Sequence, residues 1–358
     1  MPKMMEKAVY IQVMVMTLVP VILLGACGTP PPERRPVPAG PQWVYTPDSV
    51  YPEARFISAV GHGQDRESAE KNALGALAAV FGQTVQGETR ASYRYSEAVN
   101  NGVIDVLENS GISGAVRTSF SVDTLIGAEI KDRWFDGETH YAIAVMERFR
   151  CAMLYSDLIE SNQRSIGNLV PVSGDERYSF EGYARYDLAA VIADANHAFL
   201  NILSVLSPGS ASALRHTLSR GDDYRLEGRE IISHIPIAVS VDNDRAGRVK
   251  AAFSRVFSEA GYLTGGGDVR YVLEAELTLS EVDLPRNPDK FIRYVINASL
   301  RDTRNGGVLF PYTISGREGH ASLSEAETRV LRIAENQIRQ SFGEALTEYL
   351  SRLSLKVK

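Results

Sequence analysis

Histidines, nucleophile turns and glycine loops are the features of a sequence that most often carry catalytic chemistry. The six histidines here never stand four residues apart, which is the helical spacing of many zinc sites. The sequence also contains neither the G-x-S-x-G turn of serine hydrolases nor the G-x-x-x-x-G-K loop that cradles phosphate. We therefore expect no catalytic residue, no cofactor-binding residue and no metal ligand, and we interpret the chain as non-enzymatic.

A Gly-His-Gly sequence at residues 61–63 is the strongest candidate for a ligand loop. It lies between an apolar segment and an alanine-rich one, and a helix N-terminus at that point could hold a phosphate group. Arg66 stands where dinucleotide-binding loops have a third glycine. We therefore interpret Gly61 and Gly63 as glycines that permit a turn, His62 as a turn residue rather than a metal ligand, and Asp65 as a helix cap.

Two further sets of side chains leave an alternative open. Glu274 and Glu276 lie two apart on a predicted strand, where paired carboxylates could act on a cell-wall glycan, but their alternation with apolar residues favours a solvated face. The second set mixes aromatic and basic side chains, and glycan binding is the alternative to a solvated helix flank. Its members are Arg90, Tyr93, Arg94 and Tyr95.

Length and charge limit the classes of function. A chain of 358 residues is long enough for two modest domains, because single cores rarely exceed about 250–300 residues. The net charge of −6 and the lack of a dense basic run argue against a nucleic-acid surface, which needs clustered Lys and Arg.

The first 26 residues have the layout of a secretory signal peptide. Lys3 and Lys7 form a basic start, and residues 8–24 are nearly all apolar. Pro20 interrupts this segment, which is shorter than the roughly 20 residues that a membrane-spanning helix prefers. We expect residues 1–26 to be removed from an exported protein.

The sequence Leu24-Gly25-Ala26-Cys27 resembles the bacterial lipoprotein box. The resemblance implies that Cys27 becomes the lipidated first residue, carrying palmitate or a similar acyl group, and anchors the protein to a membrane that it does not span. A plain signal peptide with a nearby cysteine is the alternative. Gly28 is not the aspartate that retains many lipoproteins in the inner membrane, which favours a periplasm-facing position on the outer membrane.

A proline-rich segment follows the predicted anchor, and one other cysteine occurs far along the chain. Residues 27–42 contain six prolines, so we expect an extended, semi-rigid tether. Cys151 has no partner for a disulfide once Cys27 is modified, and we expect a small buried side chain there.

Residues 43–148 form the first predicted domain, of the α+β class. We expect a strand over residues 56–60 and a helix whose face includes Ala69, Ala73 and Leu77. Residues 90–120 have an interrupted helical pattern. Residues 122–135 and 139–146 flank Asp136-Gly137, which is a strong hairpin signal.

The rest of the chain divides into three predicted parts. Residues 149–207 are a helical hairpin whose first helix has an apolar side made of Phe149, Ala152, Met153, Ile159 and Ile166. Residues 208–228 are polar without a clear period and are interpreted as a linker. Residues 229–358 form a domain of order β-α-β-β-β-α, in which three strands make an antiparallel meander and Ser322 caps the last helix. The expected fold is two α+β domains, each a small, mainly antiparallel sheet packed with helices.

Residues 43–148 resemble the bacterial lipoprotein-20 family. The matching features are a tryptophan after the tether, a strand ending in V-G-x-G before an alanine-rich helix, and a Y-x-L-A-x-x-x-R strand end, in which Ile143 replaces the usual leucine. The signature residues are Trp43, Gly61, Gly63, Ala69 and Ala73. The resemblance implies an exported envelope lipoprotein without known catalytic residues.

The C-terminal domain is similar in element order to the α+β domains of envelope assembly lipoproteins such as the curli secretion channel, which is a likeness of architecture alone. We therefore predict a binding or scaffolding role among envelope proteins, with the membrane as the other partner and no nucleic acid. Two alternatives remain open: an enzyme acting on the cell wall, and an oligomeric component of a secretion or flagellar structure.

Overall fold

The computed structural model describes residues 40–82, 90–102, 104, 125–265, 269–285 and 287–356. Contacts between residues divide the chain between Ala39 and Gly40, and the described residues all belong to the second unit, Gly40–Lys358. The predicted signal peptide, Cys27 and most of the tether lie outside the described residues. So do residues 105–124, which include much of the segment with the interrupted helical pattern.

The body contains two sheets and a set of helices of very different lengths. The strands are β1 (Phe56–Gly63), β2 (Glu129–Phe135), β3 (His140–Glu147), β4 (Pro236–Asp242), β5 (Leu263–Thr264), β6 (Tyr271–Val282), β7 (Lys290–Asp302) and β8 (Gly307–His320). The helices are α1 (Gln42–Tyr45), α2 (Pro47–Val50), α3 (Arg66–Val80), α4 (Arg90–Asn100), α5 (Arg148–Leu169), α6 (Phe180–Leu206), α7 (Pro208–Arg215), α8 (Gly221–Ser233), α9 (Arg248–Glu259), α10 (Leu323–Gln337) and α11 (Gly343–Ser354).

The first sheet is antiparallel, with strand order β1-β3-β2. The predicted hairpin joins β2 to β3, and the Asp136 carboxylate accepts hydrogen bonds from the backbone N–H groups of Glu138 and Thr139. The central strand β3 is buried on both faces: Ala142 and Ala144 face a core formed with α3, α5 and α6, whereas Ile143 packs with Trp43 on the other face. This double burial explains why β3 reads as a continuous apolar run.

The glycines of the opening motif have a different role from the predicted one. Gly61 and Gly63 lie inside β1, paired with Ala142 and His140, and neither has a positive φ. A β-carbon on Gly61 would stand 2.1 Å from the backbone nitrogen of Ala73 in α3. The prediction that these glycines permit a turn was therefore wrong: Gly61 is needed because a helix backbone lies against the strand. The Asp65 cap is confirmed, since its carboxylate accepts from the Ser68 N–H at 2.7 Å.

The second sheet is mixed, with strand order β5-β4-β6-β7-β8. Strand β4 is parallel to β5 and β6, and β6, β7 and β8 form the predicted antiparallel meander. Helices α9, α10 and α11 contribute to the core of this sheet. A π-helical turn at Ile338–Phe342 divides the predicted last helix into α10 and α11, and the Ser322 hydroxyl caps α10 by accepting from the Glu325 N–H. The fold is thus mixed α and β, with one small antiparallel sheet and one mixed sheet, each packed with helices.

Helix α6 belongs to both cores. Leu188 and Phe199 pack in the core of the first sheet, whereas Phe180 and Tyr186 pack in the core of the second. Among the described residues α6 alone is long and apolar enough to cross a membrane, and 67% of its most apolar segment is buried in the protein. Its apolar composition is therefore explained by its position between two cores.

The predicted apolar face of helix α5 is right in part: Ala152, Ile159 and Ile166 are buried. Phe149 is 76% exposed and Met153 is 53% exposed, whereas Tyr155 and Asn162 are completely buried. The buried face also contains polar groups that have partners in the core. The Tyr155 hydroxyl accepts a hydrogen bond from the backbone N–H of Ile126, and Asn162 joins a buried hydrogen-bond network. Counting only apolar side chains misplaces Phe149 and Met153 and omits the polar groups of this face, which are buried with hydrogen-bond partners.

The segment interpreted as a linker, residues 208–228, is helical for most of its length. It contains α7 and the first part of α8, and α8 packs against α6. The buried face of α8 includes Gly221, Gly228 and Ile231. Since glycine adds nothing to an apolar stripe, the sequence pattern of α8 is dominated by its charged outer face. The domain boundaries themselves stay a prediction.

Candidate functional site

The predicted lipidation site lies outside the described part of the chain, and the family-signature residues lie in the first sheet or pack against it. Cys27 lies outside it. Trp43 is 3% exposed and its indole N–H donates to the Asp132 carboxylate at 2.9 Å. Ala69 and Ala73 are buried where α3 meets β1. These signature positions hold the first sheet together and do not converge on a cavity.

The residues that could have formed a catalytic or metal site are dispersed. Glu274 and Glu276 are exposed on the outer face of β6, as their alternation with apolar residues predicts, and Glu274 forms an ion pair with Arg301 at 3.3 Å. His62 is exposed. Within the described ranges, no group of three or more His, Cys, Asp or Glu side chains is placed to hold a metal ion.

A cleft between helices is the strongest candidate for a ligand site, and we call it the interhelix cleft. It has a volume of about 440 Å³ and is bordered by α4, α6, α8, α9 and α11. Much of its wall is apolar, from Val191, Ile232, Val256, Leu346 and Leu350. The volume falls in the range of roughly 300–1,000 Å³ that is common for small-molecule sites.

Arg94 forms one polar end of the cleft wall. Its guanidinium donates to the Asp187 carboxylate at 2.5 Å and to the Ser354 hydroxyl at 3.0 Å. Its Nε atom is buried and has no hydrogen-bond partner among the residues that the structure describes. The guanidinium therefore has a buried donor without an acceptor.

Tyr262 supplies a second unmatched donor in the same wall. The residue is 4% exposed, and its ring packs edge-on against Phe180 and Phe257. Its hydroxyl is buried and lacks a hydrogen-bond partner within the described part of the chain. Burial raises the pKa of the Tyr262 phenol, so it stays protonated and able to donate.

The charges of the cleft wall are balanced by ion pairs. Arg225 bonds to the carboxylates of Asp194 and Asp222, and Arg94 bonds to Asp187. Burial, with the negative charge of Asp187 nearby, raises the pKa of Tyr183 to about 12, so this phenol is neutral. The cleft therefore offers hydrogen-bond donors and apolar surface without an uncompensated positive charge.

Among the three members of the mixed aromatic and basic set whose side chains the structure describes, Arg94 contributes to this cleft. Tyr93 is 56% exposed, Tyr95 is completely buried and Arg94 lines the cleft. The set is therefore not one solvated flank, because a helix turns these neighbours to different faces. No pattern in the sequence identifies Tyr262 as a cleft residue, because the cleft brings together residues that are more than 160 positions apart.

The free energy of unfolding of a Tyr262 variant tests whether the hydroxyl of this residue lacks a hydrogen-bond partner. Replacing Tyr262 with phenylalanine removes a buried hydroxyl that has no described partner, so the free energy of unfolding is expected to be unchanged or higher by about 1 kcal/mol. The matched control is Tyr155→Phe, which removes the acceptor of the buried Ile126 N–H. This variant is expected to lower the free energy of unfolding by about 1–2 kcal/mol. Urea unfolding of both variants checks the contrast, and a larger loss in Tyr262→Phe than in Tyr155→Phe would contradict it.

Cys151 is a buried free thiol, in agreement with the sequence interpretation. It is 1% exposed, and burial raises the pKa of its thiol to about 11. Since only the thiolate is strongly nucleophilic, iodoacetamide at about pH 8 is expected to leave Cys151 unmodified in the folded protein. Peptide mass mapping checks this, with protein in concentrated urea as the positive control. Rapid alkylation of the folded chain at Cys151 would disprove the burial.

Comparison with known proteins gives structural neighbours but no family. No protein-family model matches the sequence, and no curated protein matches it. Similar solved structures are bacterial lipoproteins and secreted proteins at low identity.

Three of these structures show the extent of the likeness. A minor lipoprotein from Acinetobacter baumannii is 13% identical over 32% of this chain and 92% of its own, with a TM-score of 0.27. A secreted protein from Helicobacter pylori is 12% identical over 80% of this chain and 98% of its own, with a TM-score of 0.37. A lipoprotein from Neisseria meningitidis is 20% identical over 30% of this chain and 99% of its own, with a TM-score of 0.21.

Proposed function

We propose that this protein is a lipid-anchored protein of the bacterial cell envelope, held through Cys27, with a non-enzymatic binding or scaffolding role. The observation that carries the proposal is the sequence Leu24-Gly25-Ala26-Cys27 at the end of an apolar segment with a basic start. Residues 27–42, with six prolines, would act as the tether between the lipid and the body.

The division of the chain supports the same proposal. Contacts separate Met1–Ala39 from Gly40–Lys358, so the proposed anchor and most of the tether belong to a different unit from the two sheets. We place residues 43–148 in a lipoprotein-20-like family as part of this proposal, on the residues that carry the resemblance.

The proposed position is the periplasmic face of the outer membrane. Gly28 follows the anchor, where an aspartate would favour retention in the inner membrane. Envelope proteins are the proposed partners, and an oligomeric form is compatible with this role.

Membrane fractionation tests the proposal. Two or three acyl chains at Cys27 make attachment firm, because each buried methylene contributes about 0.8 kcal/mol. Wild-type protein is therefore expected in the membrane pellet after a high-salt wash and in the denser outer-membrane fraction of a sucrose gradient. Wild-type protein in the soluble fraction would contradict the anchor, and recovery in the inner-membrane fraction would contradict the proposed membrane.

A further inference from the structure

The interhelix cleft combines three features that limit the chemistry of what it can hold. Its wall is largely apolar, its charged residues are neutralised by ion pairs, and two buried donors lack acceptors among the described residues. The proposed membrane anchor explains none of these features.

The two unmatched donors require an acceptor. Nearly all buried polar atoms in folded proteins have a hydrogen-bond partner, and leaving one without a partner is costly. Arg94 Nε and the Tyr262 hydroxyl are two buried atoms of this kind, and both residues line the same cleft. Both are enclosed by neighbouring side chains, so a ligand must displace part of the wall to reach them. A ligand that displaces this part of the wall gives the two donors the acceptor that they lack, and this favours the displacement.

Charge balance determines what kind of acceptor fits. Each charged side chain that lines the cleft already has an oppositely charged partner: Arg94 has Asp187, and Arg225 has Asp194 and Asp222. An anionic ligand would therefore add an unpaired negative charge beside these carboxylates, which is costly away from bulk water. An uncharged carbonyl oxygen accepts hydrogen bonds without that cost.

The rest of the ligand must match apolar surface. Val191, Ile232, Val256, Leu346 and Leu350 come from four different helices and face a common space. Covering this surface with a hydrocarbon chain removes apolar area from water. We propose that the interhelix cleft binds a small, uncharged amphipathic molecule of the acyl-ester class, with its carbonyl oxygen towards Arg94 and Tyr262 and its chain against the apolar wall.

Calorimetry with monooctanoylglycerol as the probe tests this proposal. The full chain is held in lipid nanodiscs through its N-terminus, with empty nanodiscs as the blank for partitioning into lipid; if Cys27 is not lipidated, the full chain is titrated in buffer. Saturable binding to wild-type protein is expected. Octanoate, which has the same chain and a negative charge, is expected to bind at least about tenfold more weakly.

Two variants locate the binding. Thr347 is exposed and lines the cleft, so Thr347→Trp is expected to block it and weaken probe binding at least about tenfold. Glu348→Trp is the matched control, because Glu348 is the next residue of α11, is exposed and does not line the cleft. It is expected to change affinity less than about twofold.

If Thr347→Trp fails to fold, a variant that lacks the Tyr262 hydroxyl provides an independent test. Tyr262→Phe is expected to weaken monooctanoylglycerol binding about tenfold while leaving the protein folded. Absence of saturable binding to wild-type protein would overturn the proposal. So would equal affinity in wild type and Tyr262→Phe, or octanoate that binds as tightly as the ester.

Discussion

Replacing Gly61 with alanine is expected to lower the free energy of unfolding by about 3 kcal/mol or more. A β-carbon at this position would lie 2.1 Å from the backbone nitrogen of Ala73 and 2.5 Å from the backbone oxygen of Ala69. Both obstacles are backbone atoms, so relief requires that α3 move away from β1. That movement opens the contact where Ala69, Ala73 and Leu77 are buried.

Urea unfolding followed by circular dichroism measures this effect, and Gly167→Ala is its matched control. Gly167 lies on α5, and a β-carbon there would meet no atom within 4 Å. Because alanine favours helix over glycine, this control is expected to raise stability by about 0.5–1 kcal/mol. If Gly61→Ala unfolds at the same urea concentration as the wild type, the close contact between α3 and β1 is wrong.

Replacing Asn162 with alanine is expected to lower the free energy of unfolding by about 3 kcal/mol. Asn162 is completely buried, and its side-chain oxygen accepts from the Tyr95 hydroxyl at 2.9 Å. Its side-chain nitrogen donates to the Asn196 oxygen at 2.8 Å. One substitution thus removes both hydrogen bonds and leaves a cavity between α4, α5 and α6.

Asn201→Ala provides the control for this network, because Asn201 is exposed near the end of α6. It is expected to change stability by less than about 0.5 kcal/mol in either direction. Thermal unfolding of the two variants in the same buffer gives the comparison. Equal melting temperatures would show that the buried hydrogen bonds do not stabilise the contact between these helices.

Much of the fold follows from local signals in the sequence. Asp136-Gly137 predicts its hairpin because glycine adopts the positive φ of 103° found there and the aspartate accepts from the turn backbone. The meander β6-β7-β8 follows from strict alternation of apolar residues. The caps at Asp65 and Ser322 follow from side-chain oxygens placed just before helices.

Other features depend on contacts that no local pattern contains. The buried face of α5 includes Tyr155 and Asn162, whose partners lie far along the chain, whereas Phe149 and Met153 face outwards against expectation. The role of Gly61 requires knowledge of where α3 packs.

The interhelix cleft is the clearest case of such dependence. It places Arg94, Tyr262 and Thr347 in one wall, although each belongs to a separate part of the sequence. Spacing rules describe neighbours on one element, whereas this wall is made by tertiary packing.

Metabolic labelling with palmitate tests the proposed anchor most directly, with each cysteine replaced in turn. Cys151 is a residue of α5 that is buried in the core, so Cys151→Ala serves as the matched control for Cys27→Ala. The proposal predicts label in the wild type and in Cys151→Ala, and none in Cys27→Ala. Absence of label from the wild type, or label that persists in Cys27→Ala, would contradict it.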